Sequence, residues 1–411
     1  MTKVETTDIA VIGAGPAGST VAALLRKRGW GVTVLERSHF PRFSIGESLL
    51  PQCMDLLDEA GMLEPLKKAA FQIKTGVGFI EGAQYGQFDF SDQYSDGWSS
   101  TWHVVRAEFD QILATEAAAR DADVRFGASI DSVDFNTPGA PRLQVVPETG
   151  EPYQLDARFV CDASGFGRVL PRMLGLERPV ADPPRAALFT HVTDRIEAAD
   201  FKRDNILLCI HPEYPDVWYW VIPFSNGRTS IGIVGSPEFF DTQTGEPLQQ
   251  MQTLVAQEPC MARLLGNAIY DNPVRKLSNY AVGVTALHGR DYALLGNAGE
   301  FIDPVFSSGV TVALKSAVLA SGLIDRELRG QAVAWDSEYE QPLRAGMRVF
   351  RSFIEAWYDG SLKHVFFQKD TPWRLRGMLG SVLAGYVWDR SNPYVVRPEK
   401  RLRVLCDVCA P

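Results

Sequence analysis

The chain has little of what marks several large protein classes. Its formal net charge is −9, and no cluster of lysine and arginine dominates, so we expect no nucleic-acid partner. Its apolar runs are short. The stretch from Val310 to Ile324 contains Lys315 and falls below the length of a membrane span. The first eight residues lack the apolar segment of a signal peptide. We therefore expect no membrane span and no secretion.

Cysteine and the common catalytic motifs are also scarce. The six cysteines are scattered, which is typical of reduced thiols in the cytoplasm. The six histidines show no ligand spacing, so we predict no metal site. The sequence has no P-loop, no serine-hydrolase elbow and no zincin helix.

The first forty residues predict a nucleotide-binding unit. Asp8 to Ile12 reads as a buried strand, Ala17 to Arg28 as a helix, and Val32 to Leu35 as the next strand. Between strand and helix lie three glycines in the G-x-G-x-x-G spacing that lets a backbone approach a pyrophosphate. Glu36 ends the second strand, where its carboxylate can accept from ribose hydroxyls. We predict that this loop binds a dinucleotide through Gly13, Ala14, Gly15, Ala17, Gly18 and Glu36.

Two later apolar runs, Arg158 to Cys161 and Tyr292 to Leu295, are predicted to be strands of the same sheet. The segment Asn205 to Phe224 alternates and predicts an antiparallel second layer. After about Gly330 an amphipathic stripe predicts helix. We expect an α/β fold with a discontinuous Rossmann-like domain (1–80, 100–180, 275–325), an inserted antiparallel substrate sheet (81–99, 181–274) and a helical C-terminal region (326–411).

Several segments identify the dinucleotide as FAD by resemblance. Glu36-Arg37, the run from Pro41 to Ser48, Arg106 and Gly296-Asn297-Ala298 resemble flavin monooxygenases of the aromatic-hydroxylase type. Only one glycine fingerprint is present, whereas a chain with full folds for both FAD and NAD(P)H would carry two. The resemblance implies FAD contacts from the residues Arg37, Ser48, Arg106, Asp162, Gly165, Asn297, Pro304, Gly309 and Val310.

Three further segments resemble the flavin-dependent halogenases, closest to their phenol and pyrrole branch. Trp218-x-Trp220-x-Ile222-Pro223 matches the W-x-W-x-I-P signature, and Phe301 to Gly309 matches F-x-x-P-x-x-S-x-G. The segment from Phe71 to Gly76 resembles the one that carries the family's active-site lysine. Tryptophan halogenases carry a glutamate where this chain has Phe306, which points away from free tryptophan as the substrate.

The resemblance implies an FADH2-dependent halogenation. Chloride or bromide, held by Ser308 and Gly309, would be oxidised to hypohalous acid. Lys74 would then pass the halogen to an electron-rich ring, either as an ammonium that activates hypohalous acid or as a haloamine. The residues Trp218, Trp220, Ile222, Pro223 and Phe306 would wall the tunnel. A separate reductase would supply FADH2, and a carrier protein could hold the aromatic substrate.

Three alternatives remain open. An aromatic hydroxylase would share Glu36 and Arg106 without needing Lys74. A reductase of the geranylgeranyl type would not need oxygen. A flavoprotein without chemistry could act as a redox-responsive binding module. Without the family resemblance, Lys74 would be taken for a surface lysine, because lysines are nearly always solvated.

Overall fold

The computed structural model describes residues 3–180, 183–278, 280–368 and 372–409. Within these ranges, the first unit is a six-stranded sheet whose central pairings are parallel. A short antiparallel edge strand completes it. Its strands, in spatial order, are His288–Gly289, Tyr292–Leu294, Phe159–Asp162, Ile9–Ile12, Val32–Glu36 and Asp123–Phe126. The four strands of this sheet predicted from the apolar runs are confirmed within about one residue, and so is the helix Pro16–Lys27.

The second unit, in the same described ranges, is a seven-stranded and mostly antiparallel sheet. Its strands are Arg275–Ser278, Ala186–Thr193, Arg228–Gly235, Trp218–Pro223, Asn205–Ile210, Gly76–Glu81 and Gln84–Asp89. The antiparallel pairing of Asn205–Ile210 with Trp218–Pro223 confirms the predicted second layer.

The predicted domain division stays a prediction, but two strands of the second sheet lie mostly or wholly in its cofactor segments. Gly76–Glu81 falls almost wholly in the first cofactor segment of that division, yet it pairs in parallel with Asn205–Ile210. Arg275–Ser278 falls in the third cofactor segment, yet it is an edge of the second sheet. Pairing between strands that lie far apart in the chain leaves no local pattern in the sequence. The predicted boundary at residue 181 lies outside the described residues.

Smaller sheets complete the β-structure that the described ranges contain. One is four-stranded, in the order Val4–Thr6, Tyr153–Asp156, Arg142–Pro147 and Ala128–Asp134. Two are two-stranded ribbons, Glu177–Arg178 with Gly283–Val284 and Gln72–Lys74 with Thr101–His103. The second ribbon carries the predicted catalytic lysine.

Helices cover both sheets. Pro16–Lys27 packs against Arg106–Ala118 and Gly309–Leu328. The predicted apolar stripe lies in Gln341–Tyr358 and is buried, because that helix packs on the body of the protein. The other α-helices are Gln52–Glu59, Leu63–Lys68, Val169–Met173, Pro237–Asp241, Pro247–Gln257, Pro259–Leu265, Ser361–Phe366, Trp373–Leu383, Pro393–Val396 and Pro398–Cys409. No helix in the described ranges combines the length and the apolar composition needed to cross a bilayer.

Candidate functional site

The glycine-rich loop is shaped by backbone crowding on two sides. A β-carbon on Gly13 would lie 2.7 Å from the carbonyl oxygen of Ala163, and φ is +98° there. A β-carbon on Gly18 would lie 1.9 Å from the carbonyl oxygen of Gly13. At Gly15 the nearest atom is the flexible end of Arg42, 3.7 Å away. The loop therefore packs tightly onto the sheet while the surface at Gly15 stays open, as a pyrophosphate at a helix N-terminus requires.

Glu36 is buried at the end of its strand and holds this loop. Its Oε2 accepts from the amide of Ala14 at 2.9 Å, and its Oε1 accepts from Ser38 at 3.0 Å. Arg42 lies beside it, 3.8 Å from Glu36 Oε2 and 3.2 Å from Asp110 Oδ2. We did not predict Arg42 as a site residue, because its position depends on the folding of the connection after Glu36. Arg37, by contrast, is exposed.

Arg106 is a buried residue that ties a helix to the loop carrying Ser48. Its guanidinium donates to both carboxylate oxygens of Asp110 at 2.7 and 2.9 Å. It also donates to the carbonyl oxygens of Ile45 and Gly46. Bidentate pairs of this kind are geometrically specific, so Arg106 fixes the Ser48 loop relative to the first sheet.

Asp162 shapes a second loop at the same sheet edge. Its carboxylate accepts from the amides of Ser164 at 2.9 Å and Leu170 at 2.6 Å. Burial raises its pKa. Gly165 follows with φ +58° and opens a short 3-10 turn. Both carboxylate oxygens of Asp162 are thus occupied by the protein backbone, while Gly165 presents main chain at the surface of the loop.

The second signature segment forms the start of the twenty-residue helix Gly309–Leu328. Pro304–Phe306 is a 3-10 turn, and Ser307 has φ +58°. Ser308 precedes the helix, and its Oγ is buried with no hydrogen-bond partner among the described residues. Asn297 Oδ1 lies 3.9 Å from the point where a β-carbon on Gly309 would stand, and Val310 is buried. The free amides of a helix start suit an anion, and Ser308 Oγ is a further donor.

The two signature tryptophans lie on one face of their strand, toward the core shared with the first sheet. Trp218 Nε1 donates to the hydroxyl of Tyr358 at 2.9 Å, and that hydroxyl donates to Asp303 Oδ2 at 3.0 Å. Trp220 Nε1 donates to Ser230 Oγ at 3.1 Å. Trp218 therefore connects the two signature segments through Tyr358, a residue that sequence reasoning did not select.

The apolar wall around these tryptophans comes from several elements. Phe306 is buried and meets the rings of Phe353, Trp357 and Phe366 edge-on. Ile222 and Pro223 are also buried, at the end of the tryptophan strand. An aromatic ring of this kind at position 306 offers packing but no charge.

Lys74 is 1% exposed. It is therefore not the solvated surface lysine that its residue type alone would predict. Its Nζ donates to the carbonyl oxygen of Leu49 at 2.8 Å and lies 5.4 Å from the ring centroid of Phe90. Burial lowers the pKa of Lys74 to about 7, and the nearby Cys53 thiol acts in the opposite direction. Cys53 Sγ in turn lies 3.2 Å from Thr311 Oγ1, so Cys53 contacts the start of the helix Gly309–Leu328.

A possible metal-binding group lies on the other side of the second sheet. Cys209, Glu258 and Cys260 have ligand atoms within 4.8 Å of one another, and all three residues are buried. Glu258 also accepts from the amide of Met261 as a helix cap. Sequence spacing could not reveal this group, because a strand and a distant helix bring it together.

Comparison with known proteins identifies the class to which this protein belongs. The chain matches a family model of an FAD binding domain over residues 6–336, and it is an FAD-binding flavoprotein. It is 31% identical to a 1H-pyrrole-2-carbonyl-(peptidyl-carrier protein) chlorinase of Pseudomonas fluorescens, over 90% of this chain and 87% of that one. The protein thus belongs to the flavin-dependent halogenases and is an enzyme of the oxidoreductase type. The resemblance found in its sequence is confirmed.

Two further similarities concern a halogenating enzyme and the fold. A 1H-pyrrole-2-carbonyl-(peptidyl-carrier protein) brominase of Pseudoalteromonas luteoviolacea is 26% identical, over 80% of each chain. The crystal structure of a flavoprotein/dehydrogenase from Cytophaga hutchinsonii matches with a TM-score of 0.95 and 42% identity, over 98% of this chain and 99% of that one.

Proposed function

We propose that this enzyme uses FADH2 and oxygen to chlorinate or brominate an electron-rich aromatic ring such as a phenol or pyrrole. The halogen would reach the ring as hypohalous acid held at Lys74. The observation that carries this proposal is the burial of Lys74, whose ammonium donates to a backbone carbonyl oxygen and has no carboxylate partner among the described residues. A lysine without a chemical role is normally solvated, because its burial is unfavourable unless it is paired.

The geometry of the described residues supports a role for each part of the site. The open surface at Gly15 and the helix start behind it would hold the pyrophosphate, with Glu36 and Arg106 ordering the loops around the nucleotide. When bound, FADH2 supplies the electrons that activate oxygen and so the oxidant for the halide. Ser308 and Gly309 would hold the halide with hydroxyl and amide donors. Trp218, Trp220 and Phe306 would keep the substrate ring apart from the flavin.

At the substrate end of the proposed tunnel, the Lys74 ammonium would donate a hydrogen bond to hypohalous acid. This donation draws electrons from oxygen and leaves the halogen more electrophilic. A pKa near 7 leaves a substantial fraction of the lysine protonated at neutral pH while keeping it a good proton donor.

The substrate is proposed to be an acyl group on a carrier protein. This proposal is supported by the names of two relatives, which act on pyrrole carbonyl groups attached to a peptidyl-carrier protein. All six cysteines are free, which fits the proposed cytoplasmic location.

The test is a product assay. The protein would be supplied with FAD, a flavin reductase, NADH, oxygen and bromide, with phenol or a pyrrolyl-carrier thioester as acceptor. We expect a brominated product by mass spectrometry, and its loss in Lys74→Met.

The matched control is Lys363→Met. Lys363 is also buried and donates to the carbonyl oxygen of Pro215 at 2.7 Å, but it has a carboxylate partner, Glu81 Oε1, at 3.4 Å, which Lys74 lacks among the described residues. Folded Lys363→Met should still halogenate. A hydroxylated product that does not depend on halide would show that the enzyme acts as an aromatic hydroxylase. Reduction of the acceptor without oxygen would show that it acts as a reductase.

We also propose that a separate reductase supplies FADH2, since the sequence carries one dinucleotide fingerprint. The purified protein with FAD and NADH or NADPH alone should therefore oxidise no more nicotinamide than free FAD does, measured at 340 nm. Rapid oxidation by this chain alone would contradict the proposal.

A further inference from the structure

The ribbon that carries Lys74 also presents a histidine. Thr101–His103 pairs antiparallel with Gln72–Lys74, so that Lys74 lies opposite Thr101. On the other side of the same strand, Ser48 forms a bridge with His103. Residues directly opposite in antiparallel strands point to the same face, and residues two apart in one strand share it. One face, which we call the lysine face, therefore carries the side chains of Ser48, Lys74, Thr101 and His103. Each of these residues is at most 4% exposed.

The hydrogen bonding of His103 fixes its tautomer. Its Nδ1 lies 3.1 Å from the carbonyl oxygen of Pro223, which can only accept, so Nδ1 carries the hydrogen. Burial lowers the pKa of His103 well below its usual value, and the charges of Lys74 and Arg203 add to this effect. The ring is therefore neutral, with the lone pair on Nε2. That atom is buried and has no hydrogen-bond partner among the described residues.

The reaction needs a base at this place. Halogenation replaces a ring hydrogen by the halogen, so the ring carbon must give up a proton once the carbon–halogen bond has formed. Lys74 in its ammonium form cannot accept one. Glu47, next to Ser48, belongs to the opposite side of its segment, and its Oε1 lies 2.6 Å from His191 Nε2. Of the described groups on the lysine face, His103 is the one with a basic nitrogen available.

We propose that His103 Nε2 is the base that takes the ring proton, and that it returns this proton to Lys74; this inference rests on the proposed halogenation. In the step, the ring carbon bonds the halogen as the halogen–oxygen bond of hypohalous acid breaks. The departing hydroxide takes a proton from the Lys74 ammonium and becomes water. The C–H bond breaks toward His103 Nε2, and the imidazolium then reprotonates Lys74. The sum is ring C–H plus hypohalous acid giving ring C–halogen plus water.

The test is His103→Asn, because the asparagine amide can keep the donor to Pro223 while removing the basic nitrogen. With bromide and phenol or its ring-deuterated form, we expect the rate of bromination to fall about 100-fold, the usual weight of a general base. We also expect a primary deuterium isotope effect that the wild type lacks, because proton loss becomes rate-limiting. His211→Asn is the matched control, since His211 is also buried but stacks on the ring of Tyr219, on the face of the second sheet opposite to Trp218 and Trp220. It should keep the wild-type rate without an isotope effect.

Two results would overturn the role of His103. Either an unchanged rate in His103→Asn or a slower rate without an isotope effect would show that it does not take the proton. If the wild type itself makes no halogenated product, the proposed function fails, and a second measurement still decides the inference about His103.

That measurement is a titration of histidine labelled with ¹⁵N, with the His103 signals assigned by their loss in His103→Asn. We expect the Nε2 shift of an unprotonated nitrogen at neutral pH. We also expect a higher His103 pKa in Lys74→Met, because a nearby positive charge is removed. A hydrogen on Nε2, or a His103 pKa that does not respond to Lys74→Met, would overturn the relay.

Discussion

The glycine loop and the lysine face represent two ways of building a functional surface. In the loop, backbone atoms lie against backbone atoms, and a β-carbon added at Gly13 or Gly18 would stand only 2.7 or 1.9 Å from a carbonyl oxygen, so both positions require glycine. On the lysine face, side chains from three separate segments meet, and several of their polar atoms have no partner among the described residues. Because its backbone is crowded, the glycine loop should tolerate few substitutions. The lysine face instead keeps free donors and acceptors that a reaction can use.

The largest effect should separate two glycines of the same loop. Gly18→Ala would place a methyl group 1.9 Å from a backbone oxygen, so the helix must move. We expect a loss of about 3 kcal/mol or more in the free energy of unfolding, and loss of FAD binding. Gly15→Ala meets only the end of Arg42 at 3.7 Å. It should fold normally yet bind FAD at least tenfold more weakly, because its methyl group occupies the surface proposed for the pyrophosphate.

Urea denaturation of the apoproteins and flavin fluorescence titrations would measure both effects. If the two variants behave alike, the loop is not divided into a packing side and a ligand side. Normal stability in Gly18→Ala would show that the backbone can relax without cost.

The lysine face should give a smaller but pH-dependent effect. The native pKa of Lys74 is about 7, whereas an unfolded lysine titrates near 10.4. Between these values the unfolded chain binds more protons, so this lysine destabilises the fold most at and below pH 7 and least near pH 10. Lys74→Met should therefore exceed the wild type in stability at pH 7, on the order of a few kcal/mol, with the gap closing as pH rises.

Stability curves from pH 6 to 10, in parallel with Lys363→Met, would measure this gap. A gap independent of pH would mean that Lys74 keeps an ordinary pKa in the folded protein. Bromination by the wild type should decline as pH rises through about 7, because the ammonium is the proposed donor. A rate that instead increases with pH would favour transfer through a haloamine.

The same contrast explains what the sequence could predict. The loop is contiguous, and its glycine spacing reflects backbone sterics, so Gly13, Gly15, Gly18 and Glu36 could be found without a structure. The lysine face depends on which strands pair. His103 therefore looked like an ordinary histidine, although its strand lies directly beside Lys74. Lys74 itself was found only through the resemblance of its flanking residues.

Some predicted site residues turn out to be tied mainly to the protein itself. Asp162 follows a strand at the ligand edge, which favoured a contact with FAD, yet both of its carboxylate oxygens accept from backbone amides. Conversely, Tyr358 gave no signal in the sequence, because it lies on a helix some 140 residues after the tryptophan that donates to it. A local pattern identifies a position, but it does not identify the partner of that position.

The smallest effect concerns the hydrogen bonds that join the two signature segments. Trp218→Phe keeps one aromatic ring but removes the donor to Tyr358 and part of the packing of a buried indole, so we expect a cost of about 2 kcal/mol in stability. Tyr358→Phe removes the same bond from its other side together with the donation to Asp303. The double variant should therefore lose less than the sum of the two single variants, by about 1 kcal/mol, in a denaturation cycle.

This connection should also affect halide binding, because Asp303 caps the turn that precedes Ser308. We expect Trp218→Phe to raise the apparent KM for bromide while kcat changes little. Trp220→Phe is the control, since Trp220 donates to Ser230 on the neighbouring strand instead. If Trp220→Phe raised the bromide KM as much, the effect would come from the aromatic wall in general. An unchanged KM in Trp218→Phe would mean that the turn keeps its shape without the connection to the tryptophan strand.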